Sequence, residues 1–359
     1  MSYPVAYADQ GRYLNGLEPA GLIDHFVRHP PHGFTAWKNG DGVAGFDAEF
    51  DVLTTAPEIK KKLACLPLSR MLFKWLTWRT RFVGTTVSEY ACLPDGGYAP
   101  AQFVAPLLES NRTAQRLMIF KDVPNASPLL SPAENEWADR LLLACKAAGC
   151  IEVSGQALAY VPIDFESIDA YLARLTYSKR KDLRRKLRSR AKLDISVRHT
   201  GDPHFTNPDV QQRYYALYEQ VYNQSELHFD KLTPAFFNAV LQDARMAGVV
   251  TEYCHAGQLV GFNLCYVHNN NLVDKYIGMD YPLARQLNLY FVSWLVNLEY
   301  ALDHGLSYYI AGWTDPKIKS HLGARFTPTR HIIYVRNPLL RTILKQTTRF
   351  FENDRQWTP

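Results

Sequence analysis

Glu226 and His228 stand two residues apart in the polar stretch Gln-Ser-Glu-Leu-His-Phe, residues 224–229. A carboxylate and an imidazole at that spacing can relay a proton, because histidine titrates near neutral pH. A solvated loop pair is the alternative. Lys317 and Lys319 lie just beyond Trp313-Thr-Asp315. Their ammonium groups can meet a phosphate or a carboxylate, while Thr314 and Asp315 suit the start of a helix equally well. Residues 179–192 carry nine Lys or Arg against one Asp, a local charge of +8 in a chain whose formal total is +5. The remainder is therefore slightly acidic. Lys179, Arg180, Arg184 and Arg185 can grip a polyanion such as tRNA, acidic lipid headgroups or the acidic face of a carrier protein. The favoured reading is a solvated connecting helix whose arginines pair with the excess carboxylates. Interleaved aromatics are missing, which argues against stacking on single strands. No catalytic triad, Walker motif or dinucleotide motif is legible. The scattered histidines give no metal site, and six cysteines without a CxxC read as free thiols of a reducing compartment.

These residues must be positioned by a folded chain. Its 359 residues are 47% hydrophobic and 21% charged, which excludes disordered, collagen-like and disulfide-scaffold classes. The opening MSYPVAYADQ has neither the basic nor the apolar region of a signal peptide, and no stretch approaches 18 apolar residues. The expected location is cytoplasmic. Two amphipathic segments, 66–78 and 338–352, raise peripheral contact with the inner membrane as an alternative.

Hydrophobic periodicity predicts strands at 43–55, 82–92 and 116–122 and helices at 57–78 and 100–111. Ser131, Pro132 and Glu134 spell a capped helix start that runs to Gly149. Strands are expected at 150–154 and 157–163. The basic helix is expected to begin near Ser167 or Ser178 and end near Lys192, before a strand at 193–199. Helices at 209–224 and 233–247 follow, then a three-strand meander over 249–278. In its middle strand Val260, Phe262, Leu264 and Tyr266 share one face. A long helix over 288–304 runs at once into strand 306–312. Strand, helix and strand joined so tightly make a crossover, so strand 306–312 should lie parallel to 272–278. A short helix and a strand at 330–336 complete the order.

Three local runs carry a family resemblance. They are Leu-Thr-Tyr-Ser-Lys-Arg-Lys-Asp-Leu-Arg-Arg-Lys-Leu-Arg at 175–188, Gly257-Gln-Leu-Val-Gly-Phe-Asn-Leu leading to Lys275-Tyr-Ile-Gly-Met-Asp280, and His304-Gly-Leu-Ser-Tyr-Tyr-Ile-Ala-Gly-Trp313. With the element order they resemble the Gcn5-related N-acyltransferase superfamily, in its FemAB-like or BioF2-like branch. The resemblance implies an α/β (α+β) fold of tandem acyltransferase halves, with mixed, mostly antiparallel sheets flanked by helices. The boundaries it suggests are 1–165 for a degenerate first half, 166–200 for the basic connector, 201–336 for the acyltransferase half and 337–359 for an amphipathic tail.

It also implies N-acyl transfer from a thioester to an amine, around the end of the fourth strand of the second half. That region holds Asp274, Lys275, Tyr276, Gly278, Asp280 and Tyr281. Asp280 or a nearby carboxylate is the implied base, and Tyr276 or Tyr281 the implied donor to the leaving group. Glu226 and His228 would face the acceptor. The superfamily holds coenzyme A on a glycine-rich turn before the long helix. Here that stretch reads Pro282-Leu-Ala-Arg-Gln-Leu-Asn288, without glycine. Arg285, Gln286 and Asn288, with Lys317 and Lys319, are the implied donor-binding residues. No tightly bound cofactor is expected. Acyl-CoA or an acyl carrier protein would be the co-substrate, aminoacyl-tRNA the alternative donor, and a non-catalytic lipid or carrier-protein binding module the reading outside catalysis.

Overall fold

The computed structural model describes residues 13–51, 77–94, 97, 99–111, 115–225, 229–338 and 341–342. In chain order these form β1 (Tyr13–Leu14), α1 (Gly21–Arg28), β2 (Thr35–Lys38), β3 (Ala44–Asp51), β4 (Thr77–Val83), β5 (Leu93–Pro94), α2 (Pro100–Asn111), β6 (Leu117–Pro124), α3 (Pro132–Ala147) and β7 (Ile151–Pro162). There follow α4 (Ile168–Ala173), α5 (Tyr177–Leu187), β8 (Asp194–His199), α6 (Pro208–Gln224), α7 (Pro234–Gln242), β9 (Val249–His255), β10 (Gln258–His268) and β11 (Asn271–Met279). The last are α8 (Leu283–Gln286), α9 (Leu289–Asp303), β12 (Tyr308–Gly312), α10 (Pro316–Leu322) and β13 (Arg325–Val335).

Two units emerge. One comprises Leu17–His25 with Ala159–Arg325; the other comprises Phe26–Leu158 with the chain from Phe326 onward. Each repeats one plan. In the amino-terminal unit β2, β3 and β4 are antiparallel, β6 joins β4 in parallel, and β13 closes antiparallel against β6. In the carboxyl-terminal unit β9, β10 and β11 are antiparallel, β12 joins β11 in parallel, and the end of β7 closes antiparallel against β12. The parallel step in each unit follows a crossover that contains a helix, as parallel pairing requires. Strand β8 extends the second sheet beside β9.

Several expectations need correcting. The strand expected over 82–92 ends at Val83, because Gly84 takes a positive φ of 102° and the chain turns off. It returns so that the Ala91 N–H donates to the Asp122 carbonyl at 3.0 Å. Of the helix expected over 57–78, residues 57–76 lie outside the described residues, and Thr77 and Trp78 open β4. The two strands expected over 150–163 are one. The basic segment is two helices with separate starts at Ser167 and Thr176, followed by a 3-10 turn over 188–192. Of the two residues suited to start the short helix, Asp315 is the one that precedes it. The final strand begins at Arg325, earlier than 330, and pairs with β6. Of the amphipathic segments, 66–76 and most of 338–352 lie outside the described residues.

The carboxyl-terminal unit buries tyrosines with their hydroxyls. Tyr171 on α4 donates to the Leu322 carbonyl and accepts from Trp294 Nε1 at 3.3 Å. The close approach needs Gly323, whose φ is 96° and whose added Cβ would meet Leu175 Cδ2 at 2.9 Å. Burial pushes the Tyr171 hydroxyl up to about 12 from an ordinary 10.0. Below pH 10 it is neutral in the folded and unfolded chain, so its stabilisation is complete. Above that pH the unfolded chain ionises first. Stability should then fall by about 1.4 kcal/mol per pH unit until pH 12. Urea unfolding across this range should lose that part of its slope in Tyr171→Phe. An unchanged slope would show that the hydroxyl is not protected.

Candidate active site

The site begins where β11 and β12 part. Their parallel pairing covers Asn271–Val273 against Tyr308–Ile310 and goes no further, although β11 runs on to Met279. The parting coincides with an irregularity against β10. Cys265 faces Asp274 and Leu264 faces Tyr276, so Lys275 is an extra residue on β11. Such a bulge bends its strand and re-aims the side chains around it. The bend opens a split between two parallel strands, where backbone N–H and C=O groups lose their partners across the sheet and can serve a ligand.

A polar network fills the base of the split. Asp274 Oδ1 accepts from Asn263 Nδ2 at 3.1 Å. Its Oδ2 accepts from the Tyr309 hydroxyl at 2.8 Å and from Asn297 Nδ2 at 3.2 Å. Asn263, Asn297 and Tyr309 are buried. These three come from β10, α9 and β12, so the carboxylate ties together the elements that border the split. Burial and the Asp274 charge push the Tyr309 hydroxyl and the Cys265 thiol well up, so both stay protonated.

Lys319 closes the other side. It is 3% exposed, and its Nζ donates to the Ala311 carbonyl at 2.5 Å. A Cβ added at Gly312 would lie 3.9 Å from that Nζ and 4.0 Å from the Asp274 carbonyl oxygen. The positive charge therefore stands near the point where the strands separate. A buried ammonium is costly to desolvate. Held here, it can neutralise charge that develops on a bound carbonyl oxygen.

A family model described as peptidoglycan biosynthesis/recognition, FemAB-like, matches residues 126–357, more than half of the chain. The chain belongs to the FemAB-like family. None of the curated proteins matches it. Among solved structures, the C-terminal domain of a putative lysylphosphatidylglycerol synthetase from Agrobacterium fabrum overlays with a TM-score of 0.54 at 12% identity, covering 92% of this chain and 95% of that one. L-PGS from Bacillus licheniformis overlays with a TM-score of 0.54 at 9% identity, covering 96% of this chain and 98% of that one. Identities this low carry the fold alone. The fold is the expected one, two acyltransferase-type halves of mixed sheet and helix. Membership of this family supports a transferase of acyl or aminoacyl groups.

The other residues singled out in this FemAB-like chain are placed as follows. Asp280 lies past the end of β11 and accepts from Arg213 Nη2 at 2.6 Å, which suits anchoring α6 to the strand end. Tyr276 packs between Phe236 and Phe237, and its buried hydroxyl has no hydrogen-bond partner among the described residues. Tyr281 is half-buried, with its hydroxyl 3.5 Å from the Met279 sulfur. Burial pushes both hydroxyls up, against the lowering effect of Arg285 on Tyr281. Both are therefore protonated at neutral pH and start a reaction as donors, not as bases. Arg285 donates to Gln224 Oε1 at 2.5 Å and lies over the Tyr281 ring. Asn288 takes a left-handed φ of 50° and donates to Ser189 Oγ at 3.1 Å. Gln286 and Lys317 are exposed. Glu226 and His228 lie outside the described residues.

On the basic helix, Lys179 donates to the Ser320 carbonyl at 3.3 Å and Arg180 to the Ala173 carbonyl at 3.4 Å. Arg184 pairs with Asp169, and Arg185 and Lys186 with Asp182. Those two cations hold the Asp182 carboxyl down at about 2. No motif or spacing in the sequence gives Asn263, Asn297 or Tyr309 a role. The signal was present: two asparagines interrupt segments that are otherwise apolar, and a buried amide needs a partner.

Proposed function

We propose that the chain moves an acyl group from a thioester to a primary amine of a cell-envelope acceptor, at the split between β11 and β12. The observation that carries this reading is the Lys319 ammonium, buried at the point where the strands separate beside the Asp274 network. The amine nitrogen attacks the thioester carbonyl. A carbon–nitrogen bond forms, the carbon–sulfur bond breaks, and the proton shed by nitrogen ends on the departing sulfur. Lys319 stabilises the oxyanion between these events. Tyr281, held protonated by burial, gives its proton to the thiolate and is restored by the proton that nitrogen sheds, so the net transfer is from nitrogen to sulfur. Asp274 orients its three partners and keeps the split in shape. Asp280 holds Arg213 at the rim. Family membership supports the envelope acceptor.

Incubation with acyl-pantetheine, acyl-CoA or an aminoacyl-tRNA, each with a panel of primary amines, tests the reading by mass spectrometry. Thiol release matched one for one by amide is the expected result. Amide from the tRNA ester alone would replace the thioester donor by an aminoacyl one. No amide from any donor would leave a binding module.

A further inference from the structure

We infer that the donor thioester is delivered by an acidic carrier protein that docks on the outward stripe of α5 and the first turn of α10. The inference rests on the thioester reading above and names its partner. Four large apolar side chains are exposed among the described residues, and two stand here, Tyr177 at 70% and Ile318 at 39%. The two helices are tied together. Lys179 Nζ reaches the Ser320 carbonyl at 3.3 Å, and His321 Nε2 lies 3.7 Å from Asp182. Tyr177, Lys181, Arg184 and Arg188 recur at i, i+4, i+7 and i+11, and all four are exposed. At 1.5 Å per residue that stripe is about 16 Å long, the length of three helical turns.

The charge on this surface is uncommitted. Lys181, Arg188, Lys192 and Lys317 make no ion pair among the described residues, and all four are exposed. Arg184 meets Asp169, but both are open to water, and such a pair exchanges partners at little cost. The inward cations are already spent: Lys186 lies over the Phe291 ring, and Arg190 holds Glu299 at 2.5 Å. What remains is a short cationic stripe with an aromatic residue at one end and an isoleucine beside it. An acidic helix with a few apolar side chains complements it in charge and in length.

Its place relative to the split matters as much. Ile318 faces out and Lys319, the next residue, faces into the site. A thioester on a flexible arm of a protein docked at Ile318 has a short path to Lys319. Such a donor also brings no nucleotide. That agrees with a helix α9 start that has no glycine turn, an Asn288 side chain bonded to Ser189, and an Arg285 engaged with Gln224. Two apolar side chains are too few to insert into a bilayer. A few free cations on a chain that is otherwise slightly acidic make a small footprint for tRNA.

Fluorescence anisotropy of a labelled acyl-loaded bacterial acyl carrier protein tests the inference on the full chain. Saturable binding is expected, weakening at least tenfold between about 50 mM and about 300 mM salt. Lys181→Glu with Arg188→Glu should lose at least tenfold more, at about fivefold per cation. Tyr177→Ser should lose several-fold and keep the salt dependence. Carrier binding that is absent, or unmoved by the charge reversals, overturns the inference. So does charge-reversal-sensitive binding of phosphatidylglycerol vesicles or tRNA with no carrier binding. Acyl-pantetheine keeps the two readings apart. If it is consumed by the charge-reversed chain at the wild-type rate while the carrier shows no preference, the docking inference fails and the thioester reading stands. If acyl-pantetheine is never consumed, the thioester reading fails first.

Discussion

Lys319→Met is expected to slow transfer by about 10²- to 10³-fold, the usual cost of removing one oxyanion donor. Methionine keeps the length and apolar stem of lysine, so the packing of α10 should survive. What goes is a charge 3% exposed that sits against the Ala311 carbonyl at the mouth of the split. The Ala311 oxygen loses that donor, a loss of about 1–3 kcal/mol if nothing else reaches it. The rate effect should appear in kcat with saturating donor, because the oxyanion exists in the transition state and not in the bound thioester. A KM that stays within a few-fold separates this role from donor binding. Urea unfolding of the variant distinguishes a dead site from a lost fold. Transfer within a few-fold of wild type, in a variant that unfolds at the same urea concentration, would remove Lys319 from the chemistry.

Lys317 and Lys319 also show how far the sequence can be read. Both were legible as cations after a strand, yet one is exposed and the other buried. The difference is set by where α10 starts. Its first residue follows Asp315, in a left-handed conformation, and Gly323 ends it, so the inward face carries Lys319 and Leu322. A one-residue shift in the expected start turns that face by about 100°. Strong local signals fared better. Ser131 and Glu134 make the reciprocal cap, with Glu134 Oε2 accepting from Ser131 N at 2.9 Å. Phe262, Leu264 and Tyr266 are buried in alternation as expected, but Val260 is an extra residue of β10 against β9 and packs with Leu289 and Val292 of α9 instead. The intervening Asn263 is buried too, because α6 and α7 cover one face of β10–β11 and α9 the other. Period two reports one covered face and is silent about a second. Nor does local pattern name a strand's partner: β13 pairs with β6, some two hundred residues earlier. The Asp274 network has the same character, since its members come from four separate elements and meet only in the folded chain.

The strongest case of distant pairing supplies the last expected result. Lys275, the extra residue of the β11 bulge, donates to Glu18 Oε1 at 3.0 Å, and the two side chains are 5% and 2% exposed. Glu18 comes from Leu17–His25, which packs in the same unit as β11 although 257 positions separate the partners. Glu18→Ala should destabilise the chain by about 3–5 kcal/mol, because it leaves an ammonium buried without its carboxylate. The pair itself need not be worth that much, since desolvating two charges offsets most of their attraction. Glu18→Leu with Lys275→Met should therefore recover most of the loss, as measured by urea unfolding of the singles and the double. If the double is no more stable than Glu18→Ala, the penalty lies in packing and not in a stranded charge. Recovery of stability without recovery of transfer would then separate two roles. The apolar pair restores the fold, while the ion pair sets the bulge that parts β11 from β12 and so determines where the Lys319 ammonium stands against a bound carbonyl.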